Sequence, residues 1–406
     1  MSKLFLWVEK YRPRTVSDCI LTDVNQAVFS GYVEKGDKVV VVVSAMSGET
    51  NRLVALGEEV WGSQFNHREL DVLYSSGEQV SVALVSLALE KVGVTAKSFL
   101  ADQIPLRTDG EFGKARIVEI KSKSLKEAIA DGIVPVVAGF QGVTADSLIT
   151  TLGRGGSDTS AVAVAAALDA DECEICTDVD GVYTADPRII KKANRLDQIT
   201  FEEMLELASL GSKVLHPRSV ELAGRHKVPL RVVSTFDEGP GTLISFDGDI
   251  MEGAVVSGIA HASDEAKITI EGVADIPGVA SKIISPVSAA NIDVDMIVQN
   301  TSAEGLTDFT FTVKRPDFDE ALALLRSVSE GIGARKVSGD PQISKVSVVG
   351  VGMRSHAGVA SRVFDALARE NINIQMISTS EIKISVVVDE KYTELAVRSL
   401  HEEFDL

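Results

Sequence analysis

Lys38-Val39-Val40-Val41-Val42-Val43-Ser44-Ala45-Met46-Ser47-Gly48-Glu49-Thr50-Asn51 is the stretch that decides the fold class. Five successive β-branched residues with no polar alternation predict a strand covered on both faces, as in a parallel sheet. The polar SAMSGETN segment leaves its end, where ligand sites of open α/β sheets usually form. Outward from this run, Glu78–Val92 has helical spacing of apolar residues, and Ile133–Phe140 reads as a second buried strand. Ala161–Leu168 is an Ala-rich helix that follows a glycine cluster, and Glu172–Asp178 reads as a further strand. The β-α-β-α order predicts an α/β domain, a mostly parallel sheet between helices. The turn-rich Phe236–Thr242 marks the approach to its end near residue 245.

The last 150 or so residues contain a repeat. Gly278-Val279-Ala280-Ser281-Lys282-Ile283 matches Gly358-Val359-Ala360-Ser361-Arg362-Val363, and Asn291–Ile297 matches Asn371–Ile377 at the same offset of 80 residues. Each copy reads strand, Gly turn, helix, Asn turn, strand, strand, close to a βαββαβ unit. Such a unit is too small for a large active site. Its edge strand and helix start suit a dimerisation module or a small-ligand sensor equally.

Composition narrows the function. A net charge of −19 argues against a nucleic-acid partner, since affinity for phosphate backbones comes from clustered Lys and Arg. The apolar runs are strand-sized and no secretory pattern opens the chain, so neither a membrane span nor export is predicted. Three cysteines in 406 residues do not form a disulfide framework, which fits a reducing cytoplasm. Cys173 and Cys176 form a C-x-x-C, a spacing used by metal and redox sites. On a strand, residues three apart face opposite ways, so buried apolar roles are expected. His216 and His356 lack partners at ligand spacing, and no protein metal site is predicted.

The most specific segment is Thr150-Thr151-Leu152-Gly153-Arg154-Gly155-Gly156-Ser157-Asp158. Three glycines let the backbone approach a ligand with its amides turned inward, and a helix expected near Thr159–Ala161 adds positive dipole. Arg154 can fork onto a carboxylate. Ser76-Gly77-Glu78 puts a carboxylate at an expected helix start, and Thr177–Arg188 (TDVDGVYTADPR) is a polar loop leaving a strand. Singly, each could be an ordinary turn or cap. Together they form the mixed-charge cleft that a nucleotide and a charged amino acid require.

LGRGGSD, SAMSGETN, SGE, TDVDGVYTADPR and Gly211-Ser212-Lys213-Val214-Leu215-His216-Pro217 resemble, in order and spacing, the motif set of the aspartokinases. The likeness runs over roughly residues 37–406 and includes the repeat, which resembles paired ACT domains. It implies a three-layer αβα amino acid kinase domain over residues 1–245, with two ferredoxin-like βαββαβ ACT domains following. These would span 265–335 and 344–406, the second taking a strand from 250–262. The implied reaction is ATP- and Mg²⁺-dependent phosphorylation of the β-carboxylate of L-aspartate. Arg154 would hold the substrate α-carboxylate and Glu78 its ammonium, with Ser44, Thr50, Gly155, Gly156 and Ser157 completing the site. Asp158 would organise lysines around the transferring phosphoryl group, and Thr177, Asp178, Tyr183, Asp186, Arg188 and Lys213 would bind ATP. The resemblance further implies feedback by lysine, threonine or both, and homo- or hetero-oligomers formed through the ACT domains. Effector positions would include Asp275, Gly278, Asp293, Asp295, Gln299, Val359, Ala360, Asn373, Ile374, Ser380 and Glu381. At Ala360 some relatives carry a hydroxyl residue.

The start of the chain departs from the pattern. Aspartokinases open with Lys-Phe/Tyr-Gly-Gly-Thr/Ser-Ser, whose lysine contacts the phosphates. Here Lys10 aligns with that lysine, but Arg12-Pro13 replaces both glycines. Proline has no amide to donate and the special angles of glycine are lost, which predicts a weakened phosphate grip. Trp7–Thr15 instead resembles the opening of clamp-loader AAA+ ATPases, although no G-x-x-x-x-G-K-[ST] loop follows. A catalytically impaired, amino-acid-binding regulator is the alternative from another class. A kinase for another amino acid or for UMP should lack the repeat. Lys3–Val8 is apolar enough to form the first strand.

Overall fold

The computed structural model describes residues 4–9, 32, 35–61, 67–211, 214–246, 255–301 and 305–406. They fall into two compact units, Met1–Val182 with Arg195–Ser209 and Lys213–Met251, and Tyr183–Asn194 with Leu210–Ser212 and Glu252–Leu406.

The first unit is built on an eight-stranded sheet. Its spatial order is Gln198–Thr200, Thr242–Ser245, Leu230–Ser234, Glu172–Thr177, Leu4–Glu9, Lys38–Val43, Val134–Ala138 and Ala96–Phe99. Only the pair Leu230–Ser234 with Thr242–Ser245 is antiparallel. Val39, Val41 and Val43 pack with Val82 and Leu89 of the helix His67–Lys91 on one face. On the other face lies the helix Gly156–Leu168, against Leu4–Glu9, Lys38–Val43 and Glu172–Thr177. Both faces are thus covered, which is why the valine run needs no polar alternation. The alanines and valines of Ala161–Ala165 are buried and let that helix lie close to the sheet. A smaller four-stranded sheet orders Ile117–Ile120, Leu106–Thr108, Gln141–Val143 and Ile149–Thr151.

Three expectations are corrected. The helix expected over Glu78–Val92 begins eleven residues earlier, at His67, so Glu78 sits mid-helix and not at a helix start. The helix expected near Thr159–Ala161 begins at Gly156. The apolar stretches are not all strand-sized: His67–Lys91 is long and apolar enough to cross a membrane by length and composition, with a window of mean hydropathy 1.3. That helix nonetheless buries Asp71, Ser75, Glu78, Ser81 and Ser86 and packs on the sheet. Cys173 and Cys176 are both buried and unbridged, and burial pushes the Cys173 thiol well up.

The second unit interleaves the two repeats. Its six-stranded sheet orders Val294–Thr301, Leu306–Lys314, Gly258–Ala274, Lys336–Val349, Lys383–Asp389 and Met376–Thr379. The two long central strands pair antiparallel from Gly258↔Val349 to Glu271↔Lys336, with a register shift between Ala262 and Glu265. Each long strand therefore serves both repeats, one half apiece. The first repeat packs Val279, Ile283 and Val287 with Phe309 and Phe311, and the second packs Val359, Val363 and Leu367 with Val386 and Leu400. The repeat is geometric as well as sequential. Gly278 (φ 90°) and Gly358 (φ 92°) cap the first helix of each copy, while Asn291 (φ 61°) and Asn371 (φ 58°) take the left-handed turn after it. Asparagine tolerates that conformation better than most side chains.

Candidate functional site

The strands Lys38–Val43 and Val134–Ala138 end side by side, where the Gly139 N–H donates to the Val43 carbonyl at 2.9 Å. A β-carbon on Gly139 would lie 3.0 Å from the Ser157 hydroxyl, so the Gly-rich loop closes directly on this strand end. Phe140, held at φ 65°, donates its N–H to the Ser160 hydroxyl, and its carbonyl accepts from the Leu152 N–H. These bonds draw Leu152–Ser160 over the edge of the sheet.

Within the loop, Gly153 (φ 77°) and Gly155 (φ 67°) flank Arg154. A β-carbon on Gly155 would sit 2.3 Å from His216 Cβ, so only glycine fits both the angle and the space. Arg154 is exposed, whereas Asp158, in the first turn of the helix, is 3% exposed. The helix begins at Gly156, whose N–H donates to the Gly153 carbonyl at 3.0 Å, so its positive end faces the loop that carries Arg154.

Glu78 comes from the opposite side. It is 3% exposed and its Oε1 accepts the Ala45 N–H at 3.0 Å, beside half-buried Ser44. This approach requires Gly77, where an added β-carbon would meet Ala45 Cβ at 2.8 Å and Glu49 Cγ at 3.5 Å. Thr50 follows Glu49 in the first turn of the helix Glu49–Trp61. A Gly77→Val protein is expected to lose about 1–3 kcal/mol in urea unfolding, because the overpacked helix must leave Ala45. An unchanged midpoint would mean that this helix and the strand end are not in firm contact.

The structure thus gathers Ser44, Thr50, Glu78 and the Gly153–Asp158 loop at one end of the sheet. Thr177 ends the neighbouring strand Glu172–Thr177; its hydroxyl donates to Asp178 at 3.1 Å. Tyr183, Asp186 and Arg188 belong to the second unit. There the exposed Arg188 guanidinium bonds Asp186 and holds its carboxyl below the usual carboxylate range. Lys10 and Lys213 lie outside the described residues.

In the repeat unit, Asp275 and Gly278 lie in the exposed turn before one helix, and Val359 and Ala360 open its counterpart. Asp293 and Asn373 are exposed just beyond the equivalent Asn turns, with Ile374 half-buried next to the latter. Asp295 and Gln299 are exposed on the strand Val294–Thr301, and Asp295 pairs with buried Lys345. Lys345 also lies 3.6 Å from buried Glu265. Ser380 and Glu381 are exposed in a turn, Glu381 being 3.3 Å from Arg354.

Sequence reasoning passed over two residues of this site. Asp71, 1% exposed, accepts backbone N–H bonds from Gly113 and Thr151, both at 2.9 Å. Arg218, half-buried, donates to the carbonyls of Leu152 and Ala115, both at 2.7 Å. The signal for Asp71 was a lone acid on the apolar face of a helix, which burial alone does not tolerate. Arg218 had no local signal.

Comparison with known proteins agrees with this architecture. Residues 21–234 match the Amino acid kinase family, and residues 268–330 and 346–404 each match the ACT domain. The chain is 62% identical to the aspartokinase of Pseudomonas aeruginosa over 377 residues, covering 92% of this chain and 91% of that protein. It is 45% identical to the aspartokinase of Mycobacterium tuberculosis over 406 residues, covering 99% and 96%. E. coli aspartokinase III in complex with aspartate and ADP superposes with a TM-score of 0.82 at 26% identity, covering 100% of both chains. The clamp-loader likeness of Trp7–Thr15 finds no support in these matches, and Leu4–Glu9 forms a central strand of the kinase sheet. With its kinase sheet, its Gly-Arg-Gly loop and its interleaved ACT pair, the chain belongs to the aspartokinases.

Proposed function

We propose that the cluster of Ser44, Thr50, Glu78 and Gly153–Asp158 binds L-aspartate and presents its β-carboxylate to ATP, giving 4-phospho-L-aspartate. This is the first step towards lysine, threonine and methionine. The observation that carries the reading is the opposition of charges at one sheet end: buried Glu78 on one side and exposed Arg154 on the other. Glu78 suits the substrate ammonium. Arg154 suits the α-carboxylate, which it can grip with two parallel bonds. The β-carboxylate is then the free end.

That carboxylate is already ionised at neutral pH, so no strong general base is required. What remains is in-line positioning and stabilisation of charge on the phosphoryl oxygens. The amides at the start of Gly156–Leu168 supply fixed dipoles for it, and Thr177 and Asp178 lie at the end of a neighbouring strand for the nucleotide. Tyr183, Asp186, Arg188 and Lys213 belong to the same nucleotide reading by resemblance. Among the described residues no group of three or more His, Cys, Asp or Glu is placed to hold a metal ion. In this reading Mg²⁺ arrives on the phosphates of ATP and keeps much of its water. When bound, the ion neutralises phosphate charge.

Regulation is assigned to the repeat. E. coli aspartokinase III in complex with lysine and aspartate superposes with a TM-score of 0.75 at 26% identity. Lysine, threonine or both are the proposed effectors here, with the exposed Asp275, Asp293, Asp295, Gln299 and Glu381 offering carboxylates and an amide to an ammonium. Assembly through the exposed edge strands Val294–Thr301 and Met376–Thr379 follows from the same reading. The unbridged Cys173 and Cys176 fit a cytoplasmic setting.

The test is Mg-ATP-dependent formation of aspartyl phosphate, trapped as the hydroxamate, with and without lysine and threonine. Arg154→Met should raise the aspartate KM by about 30- to 100-fold, the cost of a lost charge-assisted pair, with the ATP KM within about twofold. Equal aspartate KM values would remove Arg154 from the site.

A further inference from the structure

We propose that Asp71 and Arg218 are positioning residues that clamp the backbone on which Arg154 stands, and thereby set the affinity for aspartate. The inference rests on the reading of Arg154 as the α-carboxylate anchor.

Two backbone segments meet beneath Arg154. The Ala115 N–H donates to the Thr151 carbonyl at 2.9 Å, joining Gly113–Ala115 to Thr151–Leu152. Asp71 holds the N–H groups of this pair: its Oδ2 accepts from Gly113 and from Thr151, and its Oδ1 accepts the Thr151 hydroxyl at 2.7 Å. Arg218 holds the carbonyls, one nitrogen on Leu152 and another on Ala115. A buried acid thus satisfies the donors and a half-buried base satisfies the acceptors of the same two segments. Gly153 comes next and lies against the first segment, where its β-carbon would be 3.1 Å from the Gly113 carbonyl oxygen. Arg154 follows at once.

The remote ends of the clamp are themselves fixed. Asp71 belongs to the helix that carries Glu78, seven residues further on, so one element sets both sides of the substrate cluster. Arg218 stands in the first turn of the helix Pro217–His226, whose N-cap is His216, the residue packed against Gly155. Burial raises the Asp71 carboxyl and lowers Arg218 from their ordinary values, so each charge has given up water for these backbone partners.

The chemistry predicts which substitutions are tolerated. Asparagine at 71 can keep every bond: its oxygen accepts the two N–H groups and its amide donates to the Thr151 hydroxyl. Alanine keeps none. Lysine at 218 can reach one carbonyl in place of two, and methionine neither. Asp71→Ala and Arg218→Met are each expected to raise the aspartate KM about tenfold or more, with the ATP KM within about twofold, because a shift of about 1 Å at a positioning group suffices for such losses. Asp71→Asn should stay within about threefold of the unaltered enzyme, which a purely electrostatic role for the carboxylate would not allow. The double variant should lose less than the product of the single losses, since either one frees the same segments.

Arg154→Met is measured alongside. If it raises the aspartate KM while folded Asp71→Ala and Arg218→Met do not, the clamp is overturned and the site reading stands. If Arg154→Met itself has no effect, both fall. Equal rises in the two KM values, or a loss only in proportion to the folded fraction by circular dichroism, would also overturn the clamp. Should Asp71→Ala and Arg218→Met fail to fold, Arg218→Lys is expected to raise the aspartate KM at least about threefold while Asp71→Asn does not; indistinguishable values overturn the proposal.

Discussion

An Asp158→Asn enzyme is expected to lose about two to three orders of magnitude in kcat, with the aspartate KM changed by less than about threefold. The carboxylate lies in the first turn of Gly156–Leu168 and is almost fully buried. A charge so placed needs cations or dipoles facing it, and the N-terminal end of the helix is one source. In the proposed reading that charge also organises lysines around the transferring phosphoryl group. Asparagine has the same shape, so packing against the sheet is preserved while the charge that orders those cations is gone. The loss should therefore appear in turnover and not in substrate binding. Hydroxamate assays at saturating aspartate and ATP read it directly. A kcat within threefold of the unaltered enzyme would make Asp158 a structural helix residue and leave phosphoryl stabilisation to the amides and lysines alone.

The fold was legible where the sequence carried its own periodicity. Val39–Val43 announced a doubly covered strand because nothing polar interrupts it, and the repeat announced itself through Gly278/Gly358 and Asn291/Asn371, whose backbone angles need those residue types. The backbone of the Gly153–Asp158 loop was legible for the same reason: at Gly155 neither the angle nor the space admits another residue. What could not be read depends on distant partners. Ser76-Gly77-Glu78 looks like a helix start in isolation, yet it lies inside a 25-residue helix. Gly77 serves close packing against Ala45 and not a cap. That the second repeat borrows a strand from ahead of the first was expected from the resemblance, over 250–262, whereas the register that pairs Gly258–Ala274 with Lys336–Val349 is encoded by no local pattern. Asp71 and Arg218 act on backbone groups up to 103 residues away in sequence, so neither carries a motif. The nucleotide positions were read from one contiguous motif, TDVDGVYTADPR, whose residues fall in both compact units.

Restoring glycine at the two unusual positions, in Arg12→Gly/Pro13→Gly, is expected to raise kcat by about tenfold or more. The strand Leu4–Glu9 runs parallel to its neighbours, with Glu9 level with Val43 on one side and Cys176 on the other. The chain therefore leaves this strand at the same end of the sheet as Ser44 and Thr177, and Lys10 is the next residue. Residues 10–31 lie outside the described residues, and the expectation rests on the chemistry of arginine and proline in place of glycine. Proline at 13 removes one amide donor that a phosphate oxygen could use, and it fixes its own φ. Arginine at 12 cannot readily take the positive φ that glycine takes. One preorganised donor to a developing oxyanion is worth about 10²–10³ in rate, and recovery of part of it gives the expected gain. The gain should be in kcat, because a donor aimed at the transferring group acts mainly in the transition state. The ATP KM should move little. The same assay run on Arg12→Gly alone and Pro13→Gly alone separates the two causes: the proline variant should carry most of the effect if the lost amide matters. A double variant slower than the unaltered enzyme would mean that the Arg12 charge has taken over what the glycine amides do elsewhere, and that Lys10-Tyr11-Arg12-Pro13 is a working phosphate grip of a different kind.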